Sequence, residues 1–179
     1  SILSLGIDVR LNITVGKDIA LQDLFDEGFE AVLIAVGAQL SRSLTISGTD
    51  VEGVFQGVSF LKRVGLGERL DLGKKVIVIG GGNVAMDAAR TAKRLGAVVT
   101  VVYRRKRNEM PAIHEEIIAA EEEGVKFKFL AAPVSVISKD EKVTGLQIID
   151  VGSVSDESGR SELKYIEGSE SVIDTETVI

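Results

Sequence analysis

The chain has 179 residues, of which 45% are hydrophobic and 27% are charged, and its formal net charge is −6. This balance is typical of a globular protein and argues against a disordered or membrane-embedded chain, since no apolar run approaches the roughly 18 residues that span a bilayer. The basic residues do not form a long stripe, so we predict neither nucleic acid nor a membrane as a partner, and we expect a cytoplasmic location.

The chain contains no cysteine and a single histidine, His114. Disulfides, thiolate metal sites and iron–sulfur ligation within the chain are therefore excluded, and one imidazole without a spaced partner predicts no metal site. We expect His114 to be a solvated helix residue. Any redox chemistry must come from a bound cofactor, and we assign no catalytic acid, base or nucleophile.

The first 53 residues predict two strands, a short helix and a connection. Apolar positions alternate over residues 7–15, which predicts a half-buried strand, and Asp18 is a candidate N-cap for a short helix through Phe25. The continuous apolar run 31–36 predicts a buried strand that ends at Gly37 and Ala38. Open α/β sheets bind ligands at this end of their strands, so Gly37 and Ala38 are candidate cofactor contacts. Residues 39–53 are polar and predict a connection.

The strongest pattern lies in the middle of the chain. After a predicted helix over 57–64, a β-branched strand over 75–79 is followed by three glycines, a helix over 83–95 and a second parallel strand over 98–103, which together predict a Rossmann-type βαβ unit. The inner side of the second helix is predicted to carry Val84, Ala85, Ala88, Ala89, Ala92 and Leu95.

The remaining sequence predicts a further helix and a β-rich region. Pro111 suits the first turn of a helix that runs to Glu123, and the alternation over 125–129 predicts a strand with one wet face. Residues 134–138 and 143–151 predict a hairpin around the turn 139–142. Residues 152–171 predict a loop or a ragged strand pair. The expected fold class is α/β, with a parallel sheet and an antiparallel β-meander.

The glycines at the end of the first βαβ strand fit the pattern Gly-x-Gly-x-x-Gly/Ala. The candidate cofactor-binding residues here are Gly80, Gly81, Gly82, Asn83, Val84 and Ala85. Gly80 allows a tight turn, Gly82 lets the backbone approach a pyrophosphate, and Ala85 lets helix and strand pack closely. The free N–H groups of the helix N-terminus would then face the phosphates.

The end of the second strand predicts which dinucleotide is bound. An acidic residue there would bind the ribose 2′-hydroxyl of NAD, whereas this chain has Arg104 and Arg105, which favour the 2′-phosphate of NADPH. Lys106 and Arg107 are either further contacts or an ordinary solvated surface. Asp87 and Glu109 are candidates to contact the ribose or to fix an arginine, and for both we favour a structural salt bridge.

At this point the chain resembles a known family. The residues 80–87 (GGGNVAMD), 102–105 (VYRR), 109–112 (EMPA) and 121–125 (EEEGV) closely resemble the small (beta) subunit of NADPH-dependent glutamate synthase. The pattern is also similar to the ferredoxin-NADP reductase subunit of bifurcating transhydrogenases and to the nucleotide-binding part of dihydropyrimidine dehydrogenase. The resemblance extends over the whole chain.

The resemblance implies a flavoprotein of the disulfide-reductase type, in which an NADPH domain is inserted into an FAD domain. Residues 1–54 would then be a flanking segment of the FAD domain, and residues 55–179 an NADPH domain that continues beyond its last residue. FAD and the iron–sulfur clusters would lie outside this chain. Hydride would pass from NADPH to FAD, and electrons would continue to a synthase large subunit or another electron-accepting subunit.

Three other functions are compatible with nucleotide binding or require further residues. An NADPH-dependent ferredoxin or pyrimidine reductase subunit and a non-catalytic dinucleotide-binding sensor both remain open. A self-sufficient short-chain dehydrogenase needs a lysine four residues after its tyrosine, and the residues at those positions are Arg107 after Tyr103 and Ser169 after Tyr165. The sequence leaves the terminal electron acceptor and the oligomeric state open.

Overall fold

The computed structural model describes residues 2–38, 40, 44–155 and 161–179, and the chain divides into two compact units, 1–38 and 39–179. The division falls earlier than the predicted boundary at residue 54. Residues 44–55 explain the difference, because this segment forms single β-bridges with strands of the larger unit, such as Ser47 with Ser135 and Val54 with Val178. None of the described helices is long and apolar enough to cross a bilayer.

The smaller unit contains a 3-10 helix, Ile2–Leu5, and one α-helix, α1, Leu21–Asp26. The two strands predicted over 7–15 and 31–36 are wrong: among residues 2–38 the only β-bridge joins Val15 to Ile19. A strand needs a neighbour to satisfy its backbone groups, and alternation alone does not supply one. Except for the half-buried Val32, the side chains of the second run are accordingly exposed, with Leu33 at 89%.

The short helix α1 forms near its predicted place but with a different cap. Asp18 accepts a hydrogen bond from the N–H of Thr14 (2.8 Å), whereas Asp23 accepts one from the N–H of Ala20 (2.8 Å) at the start of the helix. Asp23 thus satisfies an N–H at the helix start from inside the first turn, and the predicted capping by Asp18 is wrong.

The larger unit is built on a parallel sheet with strand order β3-β2-β1-β8. Its helices and strands are α2 Gly57–Gly65, β1 Lys75–Ile79, α3 Asn83–Arg94, β2 Val98–Tyr103, a 3-10 helix Arg107–Glu109, α4 His114–Glu122, β3 Lys126–Phe129, β4 Ala131–Lys139, β5 Lys142–Ser155, β6 Ser161–Tyr165, β7 Ser171–Asp174 and β8 Thr177–Val178. Val78 of β1 lies beside Val101 of β2, which lies beside Phe127 of β3. The predicted βαβ unit is therefore confirmed.

An antiparallel sheet is inserted between β3 and β8. The predicted hairpin is formed by β4 and β5, which are joined by Asp140 and Glu141. These two residues have φ angles of 52° and 60°, and positive φ at both positions is typical of a two-residue type I′ turn. The long strand β5 also pairs with β6 and β7. The region 152–171, predicted as a loop or ragged strand pair, therefore includes β6, and its residues 156–160 lie outside the described part of the chain.

Two hydrophobic clusters cover the two faces of the parallel sheet. One contains Val76, Val78 and Met86, and the other contains Ile77, Leu146 and Val178. Successive residues of β1 thus point into different clusters, which explains why this strand is a continuous apolar run.

The helix α3 buries its alanines as predicted, but two predicted inner residues are wrong. Val84 is 45% exposed and Leu95 is 52% exposed, whereas Met86 is fully buried. Val84 and Leu95 lie on one flank of the alanine stripe and Met86 on the other. The helical period does not say which flank is covered, since the packing of α2 and α4 against α3 decides it.

Candidate functional site

The glycine turn lies between the end of β1 and the start of α3. Gly80 has a φ of 133°, a conformation that L side chains rarely adopt, and its N–H donates to the carbonyl of Val102 (3.1 Å). A Cβ placed on Gly80 would lie 3.5 Å from that of Ala85, which shows how closely turn and helix pack. The turn therefore has the geometry that its sequence pattern predicted.

The start of α3 offers unused hydrogen-bond donors. Within the described part of the chain, the backbone N–H groups of residues 81–84 make no hydrogen bond. Gly82 is the N-cap residue, and a Cβ placed on it would meet no protein atom within 4 Å. An open approach, free N–H groups and the positive end of a helix dipole are what a phosphate group requires.

Gly81 has a different task from its neighbours. A Cβ placed on it would lie 2.6 Å from the ring of Tyr103, so a side chain at residue 81 would have to displace this ring. The Tyr103 hydroxyl donates to the carbonyl of Glu109 (2.8 Å), which holds the ring in place. Gly81 thus joins the glycine turn to the end of β2.

The segment that follows β2 contacts the glycine turn again at the C-terminal end of the segment. The N–H of Ala112 donates to the Gly81 carbonyl (3.0 Å), and the N–H of Ile113 donates to Oδ1 of Asn83 (2.9 Å). Because these contacts hold the chain there, α4 begins at His114, three residues later than the predicted start at Pro111. No pattern in the sequence indicated these contacts.

The four cations of residues 104–107 have different surroundings. Arg104 is exposed, and among the described residues no group forms an ion pair or hydrogen bond with it. Arg105 pairs with Glu109 (3.1 Å), and Arg107 forms two hydrogen bonds with Glu121 (2.8 and 2.6 Å). Arg104 is therefore the guanidinium most available to an anion.

Glu109 stabilises the fold of this basic segment. Its carboxylate accepts the N–H of Lys106 (3.0 Å), and this bond, followed by the one from Arg105, lowers the pKa of Glu109 below its usual value. The carboxylate is therefore charged at neutral pH, and its negative charge offsets the positive charge of Arg105. The predicted structural ion pair of Glu109 is found, whereas the one predicted for Asp87 is wrong, since Asp87 is exposed and makes no ion pair within the described ranges.

The helix α4 is anchored to α3 by arginine–glutamate pairs. Arg90 binds both Glu116 and Glu123, and Arg94 also binds Glu123 (2.6 Å). Hydrogen bonds from Arg94, and next from Arg90, lower the pKa of the Glu123 carboxyl. His114 is exposed at the start of α4, as predicted, and the described residues contain no cluster that could hold a metal ion.

Gly37 and Ala38, the other predicted cofactor contacts, lie in the smaller unit. Both are exposed, and Gly37 has a φ of 68°. The buried strand that placed them at a sheet edge is not formed. Their contact with a cofactor remains a prediction without support from the structure of this unit.

The larger unit also has a pocket of about 650 Å³ near the amino ends of β1 and β8. Two of its charged side chains already have partners in the protein: Glu176 accepts the N–H of Lys75 (3.0 Å), and Arg63 binds Glu68. Arg69, which also lines it, is exposed. The pocket therefore gives no indication of a ligand.

The fold of the larger unit defines a Rossmann-type α/β domain, whose glycine turn has the form that receives the phosphates of a dinucleotide. Residues 4–179 match the model of the family described as pyridine nucleotide-disulphide oxidoreductase, and the chain belongs to this family. The predicted fold class, an α/β domain of the disulfide-reductase type, is thereby confirmed.

Three curated relatives cover almost the whole chain. It is 40% identical to the beta subunit of the NADPH-Fe(3+) oxidoreductase of Geobacter sulfurreducens over 99% of its length, and 36% identical to the glutamate synthase [NADPH] small chain of Escherichia coli over 98%. It is 38% identical to the beta subunit of the NADP(+)-dependent formate dehydrogenase of Moorella thermoacetica over 100%. The chain spans only 27%, 40% and 26% of these proteins, respectively. The resemblance to the glutamate synthase small subunit is confirmed.

Solved structures share the fold at low identity. FprA of Mycobacterium tuberculosis in complex with NADPH matches with a TM-score of 0.72 and 23% identity over 93% of this chain and 52% of FprA. Thioredoxin reductase of T. acidophilum matches with a TM-score of 0.56 and 19% identity over 78% of this chain and 40% of that enzyme.

Proposed function

We propose that this chain is the NADPH-binding module of a flavoprotein oxidoreductase in which hydride passes from NADPH to FAD. The observation that carries the proposal is the glycine turn, which is open at Gly82 and is followed, at the end of β2, by Arg104. Neither the N–H groups of residues 81–84 nor the Arg104 side chain has a partner among the described residues. The turn suits a pyrophosphate, and the arginine suits a 2′-phosphate.

The names of the curated relatives support the choice of nucleotide. All three carry NADPH or NADP(+) in their names, whereas the activities in those names differ: Fe(3+) oxidoreductase, glutamate synthase and formate dehydrogenase. What the relatives share over this segment therefore agrees with recognition of a phosphorylated nicotinamide nucleotide. We propose Arg104 as the main 2′-phosphate contact. We propose Arg105 as a second contact, although its guanidinium also pairs with Glu109.

When bound, the nicotinamide supplies the hydride, and the residues of this chain bind and orient the nucleotide. The N–H groups of residues 81–84 would hold the pyrophosphate, and the missing side chain at Gly82 would admit it. No described side chain is assigned a proton-transfer step, which agrees with a reaction that moves hydride between two cofactors.

The residues present do not fit FAD. A flavin dinucleotide would require a second glycine turn that opens a helix, but in the smaller unit α1 follows Ala20. The proposed FAD domain and the iron–sulfur clusters are therefore assigned to residues outside this chain. A synthase large subunit or another electron-accepting subunit is the proposed partner, and the cytoplasmic location remains a prediction.

A calorimetric titration with NADPH and NADH tests the proposed binding. We expect the chain to prefer NADPH and the variant Gly82→Val to bind neither nucleotide, because the valine would occupy the approach to the helix N-terminus. The φ of −92° at Gly82 suits any residue, so the variant should keep its circular dichroism spectrum. Unchanged affinity in Gly82→Val would mean that the nucleotide binds elsewhere.

The proposed parent flavoprotein has a separate test. The coding sequence on either side of this chain is expected to contain an FAD glycine fingerprint, and its neighbourhood a synthase or other electron-accepting subunit. The sensor alternative predicts the opposite, a dinucleotide-binding module without a flavin domain. No contact among the described residues favours the sensor.

A further inference from the structure

The basic segment after β2 is attached at both ends to the glycine turn. At its beginning the ring of Tyr103 lies against Gly81, and at its end the N–H of Ile113 donates to Oδ1 of Asn83 (2.9 Å). Ala112 adds a third attachment through the Gly81 carbonyl (3.0 Å). Residues 104–111 therefore form a loop whose two ends meet on residues 81–83.

Contacts inside the loop occupy Arg105 and leave Arg104 as the guanidinium without a partner among the described residues. Glu109 holds the N–H of Lys106 and the guanidinium of Arg105, and the carbonyl of Arg105 accepts the N–H of Leu130 (3.2 Å). The backbone on both sides of Arg104 is thus fixed while its side chain has no partner among the described residues. A loop that is ordered before binding avoids the entropy cost of being ordered by the ligand.

We propose that Asn83 is a positioning residue for nucleotide specificity: through Ile113 it holds the 104–111 loop in the conformation that presents Arg104. The inference rests on the proposed NADPH binding and gives the Asn83 side chain a task separate from a contact with the pyrophosphate. Loss of this hydrogen bond should cost affinity for a nucleotide with a 2′-phosphate, since only that ligand needs the loop.

Two variants break the same hydrogen bond from opposite sides. Asn83→Ala removes the acceptor, and Ile113→Pro removes the donor without altering the glycine turn. The φ of −58° at residue 113 matches the angle of about −65° that the proline ring imposes. Ile113→Ala is the matched control, because it shortens a side chain that is 55% exposed but keeps the N–H.

Calorimetric titrations of the whole chain with NADPH and NADH give the result. We expect both hydrogen-bond variants to weaken NADPH binding about three- to tenfold, the range for one neutral hydrogen bond, and to change NADH affinity less than about twofold. Ile113→Ala should resemble the wild type. The double variant Asn83→Ala/Ile113→Pro should be no weaker than either single variant, because both changes remove one interaction.

Three results would overturn the positioning role. Equal losses for both nucleotides in Asn83→Ala, with no loss in Ile113→Pro, would make Asn83 a pyrophosphate contact. An NADPH preference that survives Ile113→Pro, or additive losses in the double variant, would show that the hydrogen bond does not act on specificity.

By contrast, a wild-type chain without any NADPH preference would refute the proposed function itself. Amide hydrogen exchange without nucleotide then still tests the loop: residues 104–112 should exchange faster in both hydrogen-bond variants than in Ile113→Ala, and equal rates would contradict the inference.

Discussion

Replacing Arg104 with alanine is expected to weaken NADPH binding strongly and NADH binding hardly at all. The Arg104 guanidinium is exposed and, among the described residues, has no ion pair or hydrogen bond that must be broken before it binds a phosphate. Only NADPH carries the 2′-phosphate dianion, so the loss should be confined to that nucleotide.

The magnitude follows from the kind of bond lost. A hydrogen bond to a charged group contributes roughly 1.5–3 kcal/mol, which corresponds to about a ten- to hundredfold increase in the dissociation constant of NADPH. Because the site is exposed, salt should screen part of this contribution, and the difference between wild type and variant should shrink as ionic strength rises.

Arg107→Ala is the matched control, since it removes the same charge from the same segment. Arg107 forms two hydrogen bonds with Glu121, so its guanidinium already has a partner. We expect its loss to weaken NADPH binding less than about threefold, through screened long-range attraction alone. Titration of both nucleotides at two salt concentrations measures these effects. Equal losses for NADH and NADPH in Arg104→Ala, or equal effects of the two variants, would refute the assignment of Arg104.

The other predictions concern folding and composition. Gly81→Val should lower the free energy of unfolding by about 1–3 kcal/mol in urea titrations, the range for overpacking, because its Cβ would overlap the Tyr103 ring. Gly82→Val should not lower it, since a Cβ at residue 82 meets no protein atom within 4 Å. Equal stability of the two variants would contradict the packing described. Glu123→Gln should be less stable than the wild type at neutral pH. The pKa of Glu123 is lowered in the folded state, so its contribution to stability is complete above the ordinary carboxyl pKa of about 4.3 and is lost as the pH falls through the lower folded pKa. Thermal denaturation curves of the two proteins should therefore converge in acid. A difference in stability that stays constant with pH would exclude the ion pairs as its cause. The purified chain should be colourless, and a stoichiometric flavin spectrum would refute the proposal that its residues do not hold FAD.

The βαβ unit was predictable because its signals are local. The β-branched run of β1, the three glycines and the alanine stripe of α3 each restrict the backbone within a few residues, and they agree with one another. The hairpin of β4 and β5 was predictable for the same reason, since two alternating segments flank a short polar turn. The prediction of NADPH rather than NAD also depends on sequence position alone, because it uses only the presence of Arg104, and not an acidic residue, at the end of β2.

The smaller unit shows where local patterns fail. The runs 7–15 and 31–36 have the composition of strands, but a strand forms only when another strand pairs with it, and among residues 2–38 there is no such ladder. Likewise, the period of α3 placed Val84 and Met86 on opposite flanks of the same stripe without indicating which flank would be covered.

The sequence by itself determined the glycine turn and the parallel strands around it, and it carries the predicted preference for a phosphate after β2, because each depends on residues close together in the chain. Only the tertiary structure decided which of the three neighbouring arginines has no partner among the described residues, since Glu109 and Glu121 pair with Arg105 and Arg107. The contact between Asn83 and Ile113 is likewise tertiary. It joins residues 30 positions apart, and no local preference encodes a hydrogen bond across that separation.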